Sequence, residues 1–186
     1  MAEKKTSENC WNEQLNLILK QAAETKRSKK PENAAGPLRV AVVGIGNELN
    51  GDDAAGILVA QKLWAGGEIP ANCLSIVAGS LPENASGPLR RFGPDLVIFV
   101  DAADSGLPAG AVSWLAEDQI GGFSASSHTL PLTVLGGFLR NELGCHIEYL
   151  GIQPQSIEYL EGVSETMIQS IDRVVQELQN KLTESD

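Results

Sequence analysis

Cysteine is scarce in this chain of 186 residues, which has Cys10, Cys73 and Cys145. An odd number of cysteines without a CxxC pair argues against a disulfide framework and favours reduced, buried thiols in a cytosolic protein. Long apolar runs are also missing. No stretch approaches the roughly 18 apolar residues of a membrane-spanning helix, and the first residues lead into a polar segment rather than the apolar core of a signal peptide. We therefore expect a soluble, cytoplasmic protein without a membrane partner.

Basic side chains are outnumbered by acidic ones. The chain has 14 Lys and Arg against 24 Asp and Glu, which gives a formal net charge of −10. Residues 1–37 contribute 7 basic and 5 acidic side chains, or +2, which leaves −12 for residues 38–186. Because a surface this acidic does not follow a phosphate backbone, nucleic acid is not an expected partner.

Several familiar catalytic and cofactor motifs are absent. The chain has neither the G-x-S-x-G elbow of α/β-hydrolases nor the Gly-Lys-Ser/Thr of a P-loop. The dinucleotide fingerprint requires a third glycine where this chain has Leu49, which disfavours a nucleotide-binding domain. A serine nucleophile directly beside His128 is also disfavoured, because adjacent residues rarely point at each other correctly.

Strand-like and helical patterns alternate from residue 38 onward. Strands are predicted at 39–45, 73–78, 95–101, 111–115 and 146–151, and helices at 53–65, 83–92, 129–143 and 162–182. This alternation predicts a single three-layer α/β domain with a mostly parallel, twisted sheet and helices on both faces. The carboxyl ends of parallel strands share one edge of such a sheet, which is where open α/β sheets bind their ligands.

Residues 1–37 differ in character and are assigned to an N-terminal extension, with residues 38–186 as the domain. Apolar side chains recur in the extension at helical spacing: Trp11, Leu15, Ile18, Leu19 and Ala22. The lysine-rich stretch over residues 26–37 is typical of a linker. The sequence allows two interpretations of this amphipathic helix. Its apolar stripe docks on the domain or frays, or it binds a separate partner.

The most informative stretch runs from residue 40 to residue 56. A buried-strand pattern changes to a glycine-rich turn and then to two adjacent carboxylates, Asp52 and Asp53, at the start of a helix. Because an acidic pair at a helix start repels a pyrophosphate, this turn favours a cation. The alternative is helix capping, to which a carboxylate near the N-terminus contributes about 0.3–1 kcal/mol.

Two further residues are expected at the same edge of the sheet. Asp101 ends an almost wholly apolar strand, and His128 lies in a polar loop just before a helix with Pro131 near its first turn. Each also has an ordinary explanation, as a turn aspartate or a structural histidine. Two carboxylates and one imidazole suit a divalent transition metal with open positions, and the same three groups could perform acid–base catalysis without a metal.

Four short motifs follow one another along the chain: Gly44-Ile45-Gly46-Asn47 with Asp52-Asp53, Val100-Asp101-Ala102, His128-Thr129-Leu130-Pro131-Leu132 and Leu150-Gly151-Ile152-Gln153-Pro154. In this order they resemble the nickel-iron hydrogenase maturation endopeptidases. The resemblance is closest to the hydrogenase 3 type, which processes the formate-hydrogenlyase large subunit. It covers about residues 38–180.

The resemblance implies an endopeptidase, of aspartyl or metallo type, that removes the C-terminal tail of a nickel-iron hydrogenase large-subunit precursor after nickel insertion. Asp53, Asp101 and His128 match the family's metal-contacting and catalytic positions, with Asp52 as a neighbour that orients them or caps the helix. The implied divalent metal is nickel presented by the substrate, and the sequence leaves open whether the protein binds a metal of its own. We expect a monomer whose partner is the precursor.

Asn47, Gly79 and Ser80 are the candidate substrate contacts that the resemblance implies. Two departures accompany them. Val77 stands where the family commonly has an aspartate, and Ala54 replaces the usual glycine after the acidic pair. Val77 and the N-terminal helix motivate an alternative function, a nickel-checking or chaperone-like binder that docks on the precursor without cleaving it.

Overall fold

The computed structural model describes residues 10–29, 36–65, 67–117, 120 and 131–183. Within these residues the strands are β1 (Val40–Ile45), β2 (Cys73–Gly79), β3 (Leu96–Ala102), β4 (Val112–Trp114) and β5 (His146–Ile152). The helices are α1 (Cys10–Lys29), α2 (Ala55–Lys62), α3 (Ser86–Phe92), α4 (Leu132–Leu143) and α5 (Glu165–Thr183).

The strands form one sheet in the order β2-β1-β3-β5-β4. Strand β1 pairs in parallel with β2 and β3, and β3 pairs in parallel with β5, whereas β4 runs antiparallel to β5. The prediction of a mostly parallel sheet is therefore confirmed, and every predicted strand ends within one residue of the observed limit. The turns that follow β1, β2 and β3 all lie at the same edge.

The helices begin up to three residues later than the sequence pattern predicted. Short 3₁₀ turns, Gly51–Ala54 and Pro82–Ala85, precede α2 and α3 and account for two of these differences. The first two residues of the helix predicted at 129–143 lie outside the described residues. No helix in the described ranges is long and apolar enough to cross a membrane.

Side chains of the central strands alternate between two buried clusters, one on each face of the sheet. Val42, Ile98 and Leu150 belong to a cluster shared with α1, α2 and α5. Val43 and Phe99 belong to a second cluster shared with α3 and α4. Because helices cover both faces, the central strands are continuous apolar runs in the sequence, and the three-layer architecture is confirmed.

Helix α1 packs into the first of these clusters. Its apolar stripe, with Trp11, Leu15, Ile18 and Ala22, is buried in the cluster that it shares with β1, β3, β4 and α5. The Trp114 indole N–H, at the end of β4, donates to the Trp11 carbonyl at 2.8 Å. In the structure, the apolar stripe of α1 therefore docks on the domain.

A buried ion pair ties the end of α1 to the start of β3. Lys26 Nζ lies 3.1 Å from Asp95 Oδ2, and the two side chains are only 6% and 5% exposed. The same ammonium group donates to the carbonyls of Gly36 and Pro37 at 3.0 and 2.7 Å. The Arg39 N–H donates to Asp95 Oδ2 at 3.0 Å. These contacts hold the residues that lead into β1 against α1.

Helix α2 lies very close to the sheet because glycines line the contact. A Cβ on Gly44 would lie 2.1 Å from the carbonyl oxygen of Gly56, and a Cβ on Gly56 would lie 2.0 Å from the carbonyl oxygen of Val100. Side chains at these two positions would push the helix away. The close approach places the turn before α2 at the carboxyl edge of β1 and β3.

Candidate active site

The turn between β1 and α2 holds Asp53 by backbone contacts. Gly46 has a φ of 133°, and a Cβ there would lie 1.8 Å from the carbonyl oxygen of Asp53, so the turn requires glycine. The Asn47 N–H donates to that carbonyl at 3.1 Å, and the Asp53 N–H donates to the carbonyl of Asn50 at 3.0 Å. The residues at the N-cap positions of the 3₁₀ turn and of α2 are Asn50 and Ala54, and neither makes a side-chain cap hydrogen bond. Asp52 and Asp53 lie in the first turn.

Asp52 anchors a second segment beside this turn. Asp52 is 1% exposed. Its Oδ2 accepts from the Gln155 N–H at 2.7 Å, and its Oδ1 accepts from the Ser164 N–H at 2.7 Å. The Ser164 hydroxyl also donates to Oδ2 at 2.9 Å. Asp52 therefore holds both ends of the segment 155–164, in place of capping its own helix.

Asp101 lies near the end of β3, at the same edge as Asp53. The pKa of Asp101 is raised to about 8, first by burial and then by the charge of Asp53, while a hydrogen bond with the Ala102 backbone lowers it. Burial also raises the pKa of Asp53, against a lowering hydrogen bond with the Asn47 backbone. The structure thus brings these two acids close enough to interact through their charges.

Two carboxyl groups in a partly dehydrated setting resist being ionised together. Such a pair shares a proton or binds a cation, and its oxygens are ordinary ligands for divalent metals. His128, the third candidate ligand, lies outside the described residues. Among the residues that are described, no three His, Cys, Asp or Glu side chains form a group that could hold a metal ion. The described part of the site therefore contributes an acid pair.

The candidate substrate contacts lie in the turns after β1 and β2. The Gly46 N–H donates to the Gly79 carbonyl at 3.2 Å, which joins the two turns. Gly79 has open space on its side-chain face, and Ser80 is exposed. Asn47 Oδ1 accepts from the Leu49 N–H at 3.0 Å, so this side chain shapes its own loop. Ser80 is therefore the most accessible side chain of the three.

Gln153 organises the loop that follows Asp101, a role that the sequence did not reveal. This glutamine is nearly buried, and its Oε1 accepts from the N–H groups of Ser105 and Leu107 at 2.8 and 3.3 Å. Its Nε2 donates to Asp104 Oδ1 at 3.1 Å. The available signal was a polar residue placed directly after the apolar run of β5, at the same edge as the acid pair.

Comparison with known proteins places this chain in a family. The chain matches the HycI hydrogenase maturation protease family over residues 57–181. A relative from Methanocaldococcus jannaschii, named for the same activity, is 36% identical over 146 residues, 75% of this chain and 86% of that protein. The hydrogenase 3 maturation protease of Escherichia coli K12 is 32% identical over 136 residues, 73% of this chain and 85% of that protein.

A solved structure agrees with these sequence matches. The crystal structure of the [NiFe] hydrogenase maturation protease HycI from Thermococcus kodakarensis superposes with a TM-score of 0.71 at 32% identity. The superposition covers 82% of this chain and 97% of that one. Fold and sequence agree, and the chain belongs to the hydrogenase maturation protease family.

Proposed function

We propose that this protease removes the C-terminal tail of a nickel-iron hydrogenase large-subunit precursor after nickel has been inserted. It acts in the cytoplasm as a monomer, with the precursor as its partner. Family membership supports the reaction class, since the Escherichia coli relative is named as a hydrogenase 3 maturation protease. The observation that carries the proposal is the placement of Asp53, in the turn after β1, and of Asp101, near the end of β3, at the same carboxyl edge of the sheet.

Nickel belongs to the substrate in this proposal. Asp53, Asp101 and His128 contact the nickel that the precursor already holds, and this contact orients the scissile bond beside the same edge. Carboxylate and imidazole groups suit a divalent transition metal. Burial and the charge of Asp53 raise the pKa of Asp101, and a cation would relieve the repulsion between the two carboxylates. A precursor without nickel has no cation for the acid pair to bind, so cleavage requires that nickel be inserted first.

The acid pair has a second possible use, in proton transfer. Hydrolysis of a peptide bond needs a base for the attacking water and an acid for the departing amine. Near neutral pH the raised pKa of Asp101 leaves one proton on the pair, so one member can act as base and the other as acid. If the acids contact nickel, substitution of either one should weaken binding of the nickel-loaded precursor. If they transfer protons, the same substitutions should leave binding intact and abolish cleavage.

The test is to incubate the protein with nickel-loaded and nickel-free precursor, weigh the products by mass spectrometry and measure precursor binding by calorimetry. We expect truncation of the loaded precursor alone. Asp53→Asn and Asp101→Asn should cut the rate at least about 100-fold and weaken binding of the loaded form. Asp172→Asn is the matched control, because Asp172 is exposed and its recorded ion pair is with Lys62 at the surface.

Two results would overturn the proposal. Binding of loaded precursor by the wild-type protein without any truncation would support the chaperone-like alternative. Equal truncation of loaded and nickel-free precursor would show that the acid pair does not respond to the metal.

A further inference from the structure

A cluster of exposed apolar side chains lies beside the turn that holds Asp53. It consists of Leu49, after β1, and of Ile157, Tyr159 and Leu160, after β5, and is called the rim patch below. Tyr159 and Leu160 are 69% and 70% exposed, and the other two are about half exposed. Large apolar side chains grouped on a surface in this way are typical of interaction sites.

The backbone beneath the rim patch is fixed to the candidate active site. The Leu160 N–H donates to the Leu49 carbonyl at 2.7 Å, and the Asp52 N–H donates to the Ser156 carbonyl at 3.0 Å. The Asp52 carboxylate holds both ends of the segment that carries the patch. Leu160 itself has a φ of 63°, the left-handed conformation that non-glycine residues rarely adopt. The patch is therefore presented on an ordered loop that is anchored to Asp52, the residue directly before Asp53.

The two chain segments that form the rim patch carry negative charge only. Residues 47–53 include Glu48 and the acidic pair, residues 155–164 include Glu158 and Glu161, and neither range contains Lys or Arg. An occupant of this surface must therefore combine apolar side chains with positive charge, because like charges at an interface are unfavourable.

We propose that the rim patch is the docking surface for the protein substrate, and that it receives a segment of the precursor in which apolar side chains alternate with Lys or Arg. This inference rests on the proposed function. The inference depends on the position of the patch beside the acid pair. A segment docked on Leu49 and Leu160 would lie next to the turn that contains Asp53. Docking here supplies affinity for the substrate, and the acid pair supplies the response to nickel.

The experiment measures cleavage of nickel-loaded precursor at varied concentration for Leu160→Gly and Tyr159→Ser. Leu160→Gly is informative because glycine accepts the left-handed conformation, so the loop keeps its backbone while losing the side chain. Ile69→Ser is the matched control, since Ile69 is an exposed apolar residue in the loop that leads into the opposite end of β2. We expect KM to rise about tenfold or more in both patch variants, with kcat retained and the control unchanged.

The charge requirement has its own variant. At low salt, Glu158→Lys should have a higher KM than wild type. Raising the salt concentration should reduce this difference. Thermal melting of each variant identifies misfolding, and Leu160→Gly should melt no lower than wild type.

Three outcomes would overturn the inference while leaving the proposed cleavage reaction intact. One is an unchanged KM in both patch variants. Another is a fall in kcat with KM unchanged, which would place the segment in site geometry and not in docking. The third is a wild-type dimer that Leu160→Gly converts to a monomer, which would assign the patch to contacts between copies of this chain. Failure of the wild-type protein to cleave any precursor would instead overturn the proposed function.

Discussion

Two adjacent acids in this protein, Asp52 and Asp53, have different environments and different partners. Asp52 is buried and accepts three hydrogen bonds from Gln155 and Ser164, whereas Asp53 is half-buried and interacts with Asp101. The sequence shows only two consecutive carboxylates. Their surroundings depend on partners that are distant in the chain, 103 and 112 residues from Asp52 and 48 residues from Asp53, which no local pattern records.

Asp52→Asn should destabilise the fold, while Asp53→Asn should spare it. An amide has one acceptor oxygen, so its NH₂ group would face the N–H of Gln155 or Ser164 and leave a buried donor unpaired, at a cost of about 1–3 kcal/mol. Asp53→Asn removes a charge that burial disfavours. Urea unfolding of both variants measures the difference, and equal losses of stability would contradict it.

Asp101 should make stability depend on pH. An aspartate has a pKa of about 3.9 in an unfolded chain, and the folded value here is about 8. Because the folded state binds this proton more tightly, stability falls as pH rises from about 4 to about 8 and the loss is complete above that. Asp101→Asn lacks this group and should melt above wild type at pH 9, with the gap closing toward pH 4. Melting curves that stay parallel across this range would contradict the assignment.

At the scale of elements, the sequence predicted the strands best. Central strands such as β1 and β3 are buried on both faces, so nearly all their residues are apolar. Turn residues at each end mark their limits. The helix starts were less accurate because 3₁₀ turns such as Gly51–Ala54 share the composition of a helix N-terminus. The edge position of Asp101 followed from its strand, but the contacts of Gln153 did not, since they depend on how the β3–β4 loop folds back.

The packing of α2 on the sheet gives a prediction with an internal control. Gly56→Ala gains helix propensity but places a methyl group 2.0 and 2.4 Å from the carbonyl oxygens of Val100 and Ile45. Overpacking typically costs about 1–3 kcal/mol, against a propensity gain of about 0.5–1 kcal/mol, so we expect net destabilisation and slower cleavage as α2 and Asp53 shift. Gly137→Ala on α4 has nothing within 4 Å and should stabilise the protein. Thermal melting compares the two, and stabilisation by both would contradict the close packing.

At the scale of the whole molecule, α1 completes one of the two helical layers. The sequence shows its amphipathic stripe but not where the stripe binds, because the acceptor face is assembled from β1, β3, β4 and α5. The buried pair of Lys26 and Asp95 adds a charged contact to this apolar interface. The N-terminal extension therefore shares its buried surface with the domain that carries the site.

A chain that begins at Pro37 should consequently be less stable than the full chain. Its loss exposes the sheet face beneath Trp11, Leu15 and Ile18 and removes the ammonium partner of Asp95. A fully buried large apolar side chain contributes about 1.5–3 kcal/mol, and each kcal/mol lost lowers Tm by about 2–4 °C in a protein of this size. We expect a lower Tm and binding of a dye that reports exposed apolar surface, with cleavage retained below the new Tm because the acid pair lies on β3 and the turn before α2.

Leu17→Ser in the full chain is the control, since Leu17 is exposed on the other side of α1 and should leave Tm unchanged. Coincident melting of the truncated and full chains would show that α1 adds no stability to the sheet.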